Sequence, residues 1–283
     1  MKFRVNYGAD TVEIIDSISP RDGQTARRLY DHIRDLQYDS LVMQGRVTRH
    51  SVSNVAEFNN LLARLANEAE KEDSWPLIHV ESHGGSEGLQ LANGDLVRWA
   101  DVQPRFLRLN KATRNHLFVV MAACKGFHGI KAMLDLTDHS VSLRLLAGPG
   151  EETSSGKLED ATKAFYSSLL RAGDMVSAIQ EARKNEPTFS VYSAEPAFIV
   201  GWSKAIREYP TTNKGIQQRA EQIVTQAKTS SRPLPPQAHS RAKTAIRSLD
   251  MNIPFEAFKR KFFMLDLFPE IDEEISGVTL YQR

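Results

Sequence analysis

Two reactive side chains each stand at the end of an apolar run. His83 follows a run that begins at Leu77, and it is followed directly by Gly84. Cys124, the single cysteine of the chain, follows a run that begins at Leu117. An imidazole beside a thiol can take its proton and later return that proton to a leaving group. The two residues are therefore candidates for a cysteine nucleophile and its general base.

The spacing of the two residues suits neighbouring strands. Forty-one positions lead from His83 to Cys124, which leaves room for one hairpin and one helix. A crossover of that length can join parallel strands, and α/β sheets place their sites at the carboxyl edge of such strands. The sequence thus predicts both side chains at one edge of a sheet.

Strand-like and helix-like segments alternate along the first part of the chain, which predicts an α/β fold with a mainly parallel sheet and helices on both faces. We expect a strand or hairpin at the N-terminal edge over residues 3–18, and further strands at 40–49, 77–82, 117–122, 141–147 and 198–202. We expect helices opened by Ser19-Pro20 and Ser53-Asn54, one at 100–113, and two within 157–184. Asn93-Gly94 predicts a hairpin turn.

The pattern changes beyond residue 207. We expect a catalytic domain over residues 1–207 and a mostly helical C-terminal extension over 208–283, with a proline-rich linker near 230–237. Helices are expected at 214–228 and 238–249, followed by an aromatic-rich segment at 255–268. The extension is a candidate for regulation or partner docking.

Composition narrows the functional classes. The 283 residues carry 36 basic and 35 acidic side chains, a net charge of +1. No global field therefore favours nucleic acid or a membrane surface, and no nucleic-acid partner is expected. A single cysteine cannot form an internal disulfide or a multi-cysteine zinc site, and this predicts a cytoplasmic protein. No apolar run approaches the roughly 20 residues that span a bilayer, so no membrane insertion is expected.

The residues around the pair resemble those of a known family. Ser82-His83-Gly84 and Ala123-Cys124-Lys125-Gly126, each ending an apolar block, are similar to the motifs of the caspase-like cysteine peptidases of clan CD. The helical stretch at 157–183 is most similar to the bacterial CHAT and caspase-like group. The resemblance extends over residues 3–202.

This resemblance implies a caspase-haemoglobinase fold, with His83 as general acid and base and Cys124 as nucleophile. It also implies an oxyanion hole from the backbone N–H groups of Gly84 and Cys124, and no metal or organic cofactor. The implied activity is endopeptidase cleavage of a protein substrate. The implied setting is bacterial defence or regulated cell death, with a pore-forming effector encoded nearby as a candidate substrate and an activating partner as the trigger.

The sequence departs from the family at the substrate pocket. Caspases carry glutamine two residues before the nucleophile and arginine-specific relatives often carry aspartate, whereas this chain has Ala122. The preferred residue before the scissile bond therefore cannot be inferred from that position. Glu81, Glu151 and Glu152 are candidates for a pocket that accepts a basic side chain.

Other interpretations remain open. Residues 84–88 match G-x-S-x-G, which would make Ser86 an esterase nucleophile, but that motif needs a helix directly after the serine. Residues 150–157 resemble a phosphate loop with one residue too many, and we interpret them as a substrate-side loop leading to a helix cap. His79, His128 and His139 are structural or competing bases. A catalytically inactive binding module is the non-enzymatic alternative, against which the intact His83 and Cys124 pair argues.

Overall fold

A mixed β-sheet forms the centre of the protein. The computed structural model describes residues 9–19, 21–37, 46–130, 140–207, 209, 212–229, 234–249 and 251–278. Within them the sheet has eight strands, of which six follow the order β2-β1-β3-β6-β7-β8. The strands are β1 (Thr11–Ser17), β2 (Val47–Ser51), β3 (Pro76–Gly84), β4 (Gly88–Gln90), β5 (Leu96–Arg98), β6 (Phe118–Ala122), β7 (Leu145–Pro149) and β8 (Phe189–Ser193).

Helices cover this sheet and continue beyond it. In the described part of the chain they are α1 (Thr25–Gln37), α2 (Val55–Glu72), α3 (Trp99–Ala112), α4 (Ser155–Ala172), α5 (Met175–Asn185), α6 (Ala194–Arg207), α7 (Asn213–Thr229), α8 (Ala238–Arg247), α9 (Asn252–Phe262) and the short α10 (Ile271–Glu274). A single 3₁₀ turn, Gly126–Gly129, follows the strand that leads to Cys124.

Side chains of the central strands alternate between two apolar layers, as the pleat of a strand requires. Leu77, Phe118 and Val120 pack in one layer with α1, α4 and α5. Ile78 and Val119 pack in the other layer with α2, α3 and α6. The prediction of an α/β fold with a mainly parallel sheet between helices is thereby confirmed.

The position of β1 corrects the expected N-terminal edge. β1 pairs in parallel with both β2 and β3, so it is an interior strand. Val12, Ile14 and Ile15 are fully buried, as expected for a strand that is covered on both faces. Residues 3–8 of the expected strand lie outside the described residues, and so do residues 40–45 of the next one, whose observed strand begins at Val47.

The prediction of a strand at residues 198–202 is wrong. That segment lies in α6, where Phe198 and Trp202 are buried and Val200 is 66% exposed. Residues four apart share one face of a helix, so the burial of the apolar run at 198–202 has the period of a helix and not the alternation of a strand. The last strand is instead β8, which pairs antiparallel with β7. The strand expected at 141–147 is displaced to Leu145–Pro149.

Most other helices and turns lie where capping residues and glycines in the sequence predict them. The Asn54 side chain accepts a hydrogen bond from the Glu57 N–H and caps α2, as short polar residues do at helix starts. Gly173 ends α4 with a φ of 64°, so the two helices predicted within 157–184 separate there. Gly94 has a φ of 94° in the hairpin between β4 and β5.

The aromatic-rich part of the extension completes one of the two apolar layers. Phe255, Phe262 and Phe263 surround the Phe198 ring, with ring centroids 5.3 to 5.5 Å apart. Beside them, buried Arg144 bonds Glu195 at 2.8 Å and Glu274 at 2.6 Å. Residues 251–278 are therefore part of the packing around the sheet.

The other two helices of the extension form a small unit of their own. Ile216 and Ala220 of α7 pack against Ile246 of α8 in an apolar cluster separate from the layers on the sheet. This confirms the helical character expected for 214–228 and 238–249. Among the residues described, no helix combines the length and apolar character needed to cross a bilayer.

An ion pair joins α1 to α4 and gives a pH-dependent stability. Arg28 donates two hydrogen bonds to the Glu159 carboxylate, at 2.7 and 2.5 Å. Because of these bonds, and of a further one from Lys163 at 2.7 Å, the pKa of Glu159 falls from 4.5 to about 2. A lowered pKa stabilises the fold at neutral pH, and this stabilisation is lost as the pH falls from about 4.5 to about 2.

We predict that Glu159→Gln lowers the free energy of unfolding by about 1 kcal/mol at pH 7. The difference from the unmodified protein should shrink below pH 4.5 and vanish near pH 2, measured by urea unfolding across pH. Asp31→Asn is the control, because Asp31 and Arg34 are exposed and 3.8 Å apart. A constant difference at every pH would contradict the prediction.

Candidate active site

The register between β3 and β6 brings the two predicted residues together. Glu81 pairs with Ala122, and every other pair in this ladder is also 41 positions apart. Two residues further along each strand, the same offset places His83 opposite Cys124. Side chains alternate along a strand. Residues 83 and 124 are in phase with Leu77 and Val120, which face the apolar layer containing α1 and α4.

A pocket of about 310 Å³ opens at this edge of the sheet. Cys124 and His83 both line it, as do two further predicted residues, Glu81 and Ala122. The remaining lining residues come from β3, from the starts of α1 and α4, and from the loops that follow β1 and β7: Ile18, Asp22, Thr25, Ser82, Thr153, Ser155 and Leu158. The lining contains two carboxylates and neither lysine nor arginine.

The His83 ring is oriented by a carboxylate that sequence reasoning missed. Its Nε2 lies 3.0 Å from Oδ2 of Asp22, and about half of the ring is exposed to solvent. Helix α1 begins at Thr25, so Ser19 and Asp22 belong to a loop rather than to the expected helix start. The Asp22 N–H bonds the Ser19 carbonyl at 2.8 Å, and this turn carries the carboxylate to His83.

The Cys124 thiol is half-buried and lies against the loop that follows β7. Its Sγ donates to the Thr153 carbonyl at 3.4 Å. The neighbouring Lys125 N–H bonds the Glu151 carbonyl at 3.1 Å. Two contacts therefore hold the segment after β6 against the 150–154 loop.

A buried carboxylate anchors that loop from the other side. Glu186 accepts hydrogen bonds from the Thr153 hydroxyl and from the N–H and hydroxyl of Thr188. Burial acts to raise the pKa of Glu186, but these hydrogen bonds outweigh it and hold the pKa below its usual value. The charged form of Glu186 thus fixes the residue that touches Cys124.

Gly84 allows the two strand ends to approach each other. A Cβ added at Gly84 would lie 2.4 Å from the Cys124 carbonyl oxygen and 3.2 Å from the Cys124 nitrogen. The Gly85 N–H bonds the Gly88 carbonyl, and bonded pairs alternate with unbonded ones in an antiparallel ladder. The Gly84 N–H is therefore on the side of β6, beside Cys124, where the resemblance placed an oxyanion hole.

Glu81 sits at the floor of the pocket. It is 8% exposed, and its Oε2 lies 3.4 Å from Nε2 of the fully buried His79. The other ring nitrogen of His79 lies 3.2 Å from the Tyr166 hydroxyl on α4. Burial, aided by the charge of Glu81, raises the pKa of Tyr166. His79 therefore holds a buried network together and does not line the pocket.

The structure does not bring Glu151 and Glu152 into the pocket. Glu152 is 77% exposed and pairs with Lys125 at 2.9 Å, a hydrogen bond that lowers its carboxyl pKa. Glu151 is exposed and contributes its backbone carbonyl to the Lys125 N–H. Their expected role toward a basic side chain is not supported by their placement.

Ser86 and His128, a competing nucleophile and a competing base, do not line the pocket. Ser86 is exposed in the bend before β4, so the helix required by a G-x-S-x-G nucleophile is absent from that position. His128 lies in the 3₁₀ turn after Cys124 and does not line the pocket. His139 lies outside the described residues. The 150–154 loop ends in Ser154, which caps α4, as expected for a loop that leads to a helix cap.

Comparison with known proteins does not identify a family for this chain. No protein-family model matches the chain, and no curated protein is similar to it. Among the described side chains, no group of three His, Cys, Asp or Glu residues is arranged to hold a metal ion. The functional argument therefore rests on the pocket itself.

We predict that Gly84→Ala disrupts the site, because the added methyl group meets backbone atoms that cannot move alone. The free energy of unfolding should fall by about 1–3 kcal/mol, and the rate of Cys124 alkylation by iodoacetamide should change. Gly85→Ala is the matched control, because a Cβ there meets nothing within 4 Å. Equal stability and equal thiol reactivity in the two variants would contradict this account of Gly84.

Proposed function

We propose that the protein is a cysteine endopeptidase with a caspase-like fold, acting through Cys124 and His83. The observation that carries the proposal is the shared pocket, in which both side chains lie at the carboxyl edge of adjacent parallel strands. A small pocket with a thiol, an imidazole and a carboxylate behind the imidazole suits nucleophilic catalysis.

In the proposed reaction, His83 accepts the Cys124 proton and the thiolate attacks the carbonyl carbon of the scissile peptide bond. Asp22 occupies Nε2 of His83, which assigns the proton transfer to Nδ1. The thiol must first turn away from the Thr153 carbonyl, its acceptor in the resting arrangement. Asp22 is thus a positioning residue that fixes the tautomer of the base.

The remaining steps use the same groups. The negative charge on the carbonyl oxygen is stabilised by the Gly84 and Cys124 N–H groups, as in other oxyanion holes. His83 returns the proton to the departing amine as the C–N bond breaks, which leaves an acyl-thioenzyme. Water then adds to the thioester carbonyl, giving its proton to His83, and the released thiolate is reprotonated.

The pocket floor favours a basic side chain before the scissile bond. Ala122 leaves space next to its ladder partner Glu81, which is the least exposed carboxylate of the lining. A lysine or arginine side chain would replace solvent around Glu81 and satisfy its charge. An acidic substrate side chain would instead lie beside two groups of like charge, Glu81 and Asp22.

The proposed setting follows the resemblance of the sequence. It is the cytoplasm of a bacterium, where the protease would cut a protein partner after an activating partner releases it. A pore-forming effector encoded nearby is the candidate substrate, in defence or regulated cell death. Fold-level analogy supplies this part of the proposal.

Labelling by an electrophilic peptide probe tests the enzyme. Cys124→Ala should abolish labelling, and His83→Ala should slow it at least about 100-fold through loss of the base. Asp22→Asn should slow the labelling less than His83→Ala does. It should also shift the pH dependence of the labelling rate, as expected for a residue that positions the base. Ser86→Ala is the matched control and should label at the unmodified rate.

One outcome would favour the alternative of an inactive binding module. That outcome is labelling of Cys124 no faster than a free thiol, with no effect of His83→Ala. Loss of labelling in Ser86→Ala would instead revive the serine esterase.

Matched probes test the role of Glu81. Probes that differ only in carrying arginine or norleucine before the electrophile should label with rates at least about tenfold apart, since one good charged pair is involved. Glu81→Gln should remove most of this difference while leaving norleucine labelling unchanged. Equal rates for the two probes on the unmodified protein would contradict a basic preference without contradicting catalysis.

A further inference from the structure

The charge of the chain is strongly divided along its length. Residues 209–249 contain seven lysines and arginines but one carboxylate, Glu221, a net charge of +6. Since the whole chain has a net charge of +1, the rest of it carries −5. The near-neutral total conceals a cationic segment, so the expectation that nucleic acid is not a partner, which rests on that total, does not apply to this segment.

Six of these cations lie on the helical hairpin formed by α7 and α8. Five are exposed and Lys243 is half-buried; the six are Lys214, Arg219, Lys228, Arg241, Lys243 and Arg247. The seventh, Arg232, lies outside the described residues. The hairpin has its own small apolar cluster, separate from the two apolar layers on the sheet.

The described side-chain contacts of the hairpin cations are with neutral groups. Across the described residues, none of the six forms an ion pair with a carboxylate; those with a polar side-chain partner bond neutral amides. Lys243 donates to the Gln217 amide oxygen at 3.1 Å, and Arg247 donates to Asn213 at 2.9 Å. These two contacts place positive charge along the seam between the helices.

We propose that this hairpin binds the phosphate backbone of nucleic acid. Protein–nucleic acid interfaces are more polar and more cationic than protein–protein interfaces, which depend on buried apolar anchors. The hairpin exposes few large apolar side chains, Ile223 and the adjoining Leu249, each 41% exposed. Its surface is instead rich in amides and hydroxyls, which also donate to phosphate oxygens.

The length of the hairpin suits such a ligand. The 17 residues of α7 extend over about 25 Å, a distance along which duplex DNA presents about 15 phosphate charges. The apolar positions Ile216, Ala220 and Ile246 are used in contacts between the helices. The hairpin therefore lacks the free apolar face that an interfacial membrane helix buries.

Binding by the full-length protein can be measured by fluorescence anisotropy with labelled duplex DNA and single-stranded RNA of about 30 nucleotides. We expect binding that weakens steeply with salt, because released counterions drive it. Comparing DNA with RNA identifies the preferred nucleic acid. Poly-glutamate of similar length tests for an acidic protein as the true partner.

The triple variant Lys214→Gln, Lys243→Gln, Arg247→Gln should raise the Kd at least about tenfold and reduce the slope of log Kd against log salt by up to about 3. Labelling of Cys124 by the peptide probe should be unchanged, so failure here is distinct from failure of the protease. The matched control removes three exposed cations elsewhere, with Lys71→Gln, Lys111→Gln and Arg171→Gln.

Three results would overturn the proposal. The first is no binding of DNA or RNA at low salt. The second is an equal loss of binding in the test and control triple variants. The third is tighter binding of poly-glutamate than of either nucleic acid, which would indicate an acidic protein partner.

Discussion

The pairing of β3 with β6 determines the geometry on which the whole site depends. A parallel ladder admits side chains on one face only at every second position. A shift of one residue in either strand would put the imidazole and the thiol on opposite faces of the sheet. The observed offset of 41 positions places His83 and Cys124 on the same face. Gly84 then allows the strand ends to come closer than any side chain would permit.

The parts of the site that follow from strand periodicity could be predicted from the sequence. The apolar runs before His83 and Cys124 predict two buried strands. The number of residues between the runs predicts that these strands are adjacent in the sheet. Asp22, Thr153 and Glu186 could not be found in this way, since each reaches the site from a loop or a helix end. Only tertiary packing decides where such a residue points, and short polar segments carry no periodic signal.

The errors of sequence reasoning have physical causes of the same kind. The run at 198–202 fits a strand or one face of a helix equally well, and packing against Phe255 and Phe262 selects the helix. The sequence predicts Glu151 and Glu152 in a pocket for a basic side chain, but Glu152 is exposed and pairs with Lys125. Whole-chain charge, likewise, averages an acidic sheet domain with a cationic hairpin and so conceals both.

The packing of residues 251–278 has a consequence for how the protein comes into being. Phe255, Phe262 and Phe263 fill the layer of the sheet opposite the pocket, and Glu274 satisfies buried Arg144. These residues are synthesised after the strands that carry His83 and Cys124. Until residues 251–278 have left the ribosome, the sheet lacks one part of its apolar cover and one of the counter-charges of Arg144. The strands that carry the site thus obtain their full support only after residues 251–278 have been synthesised.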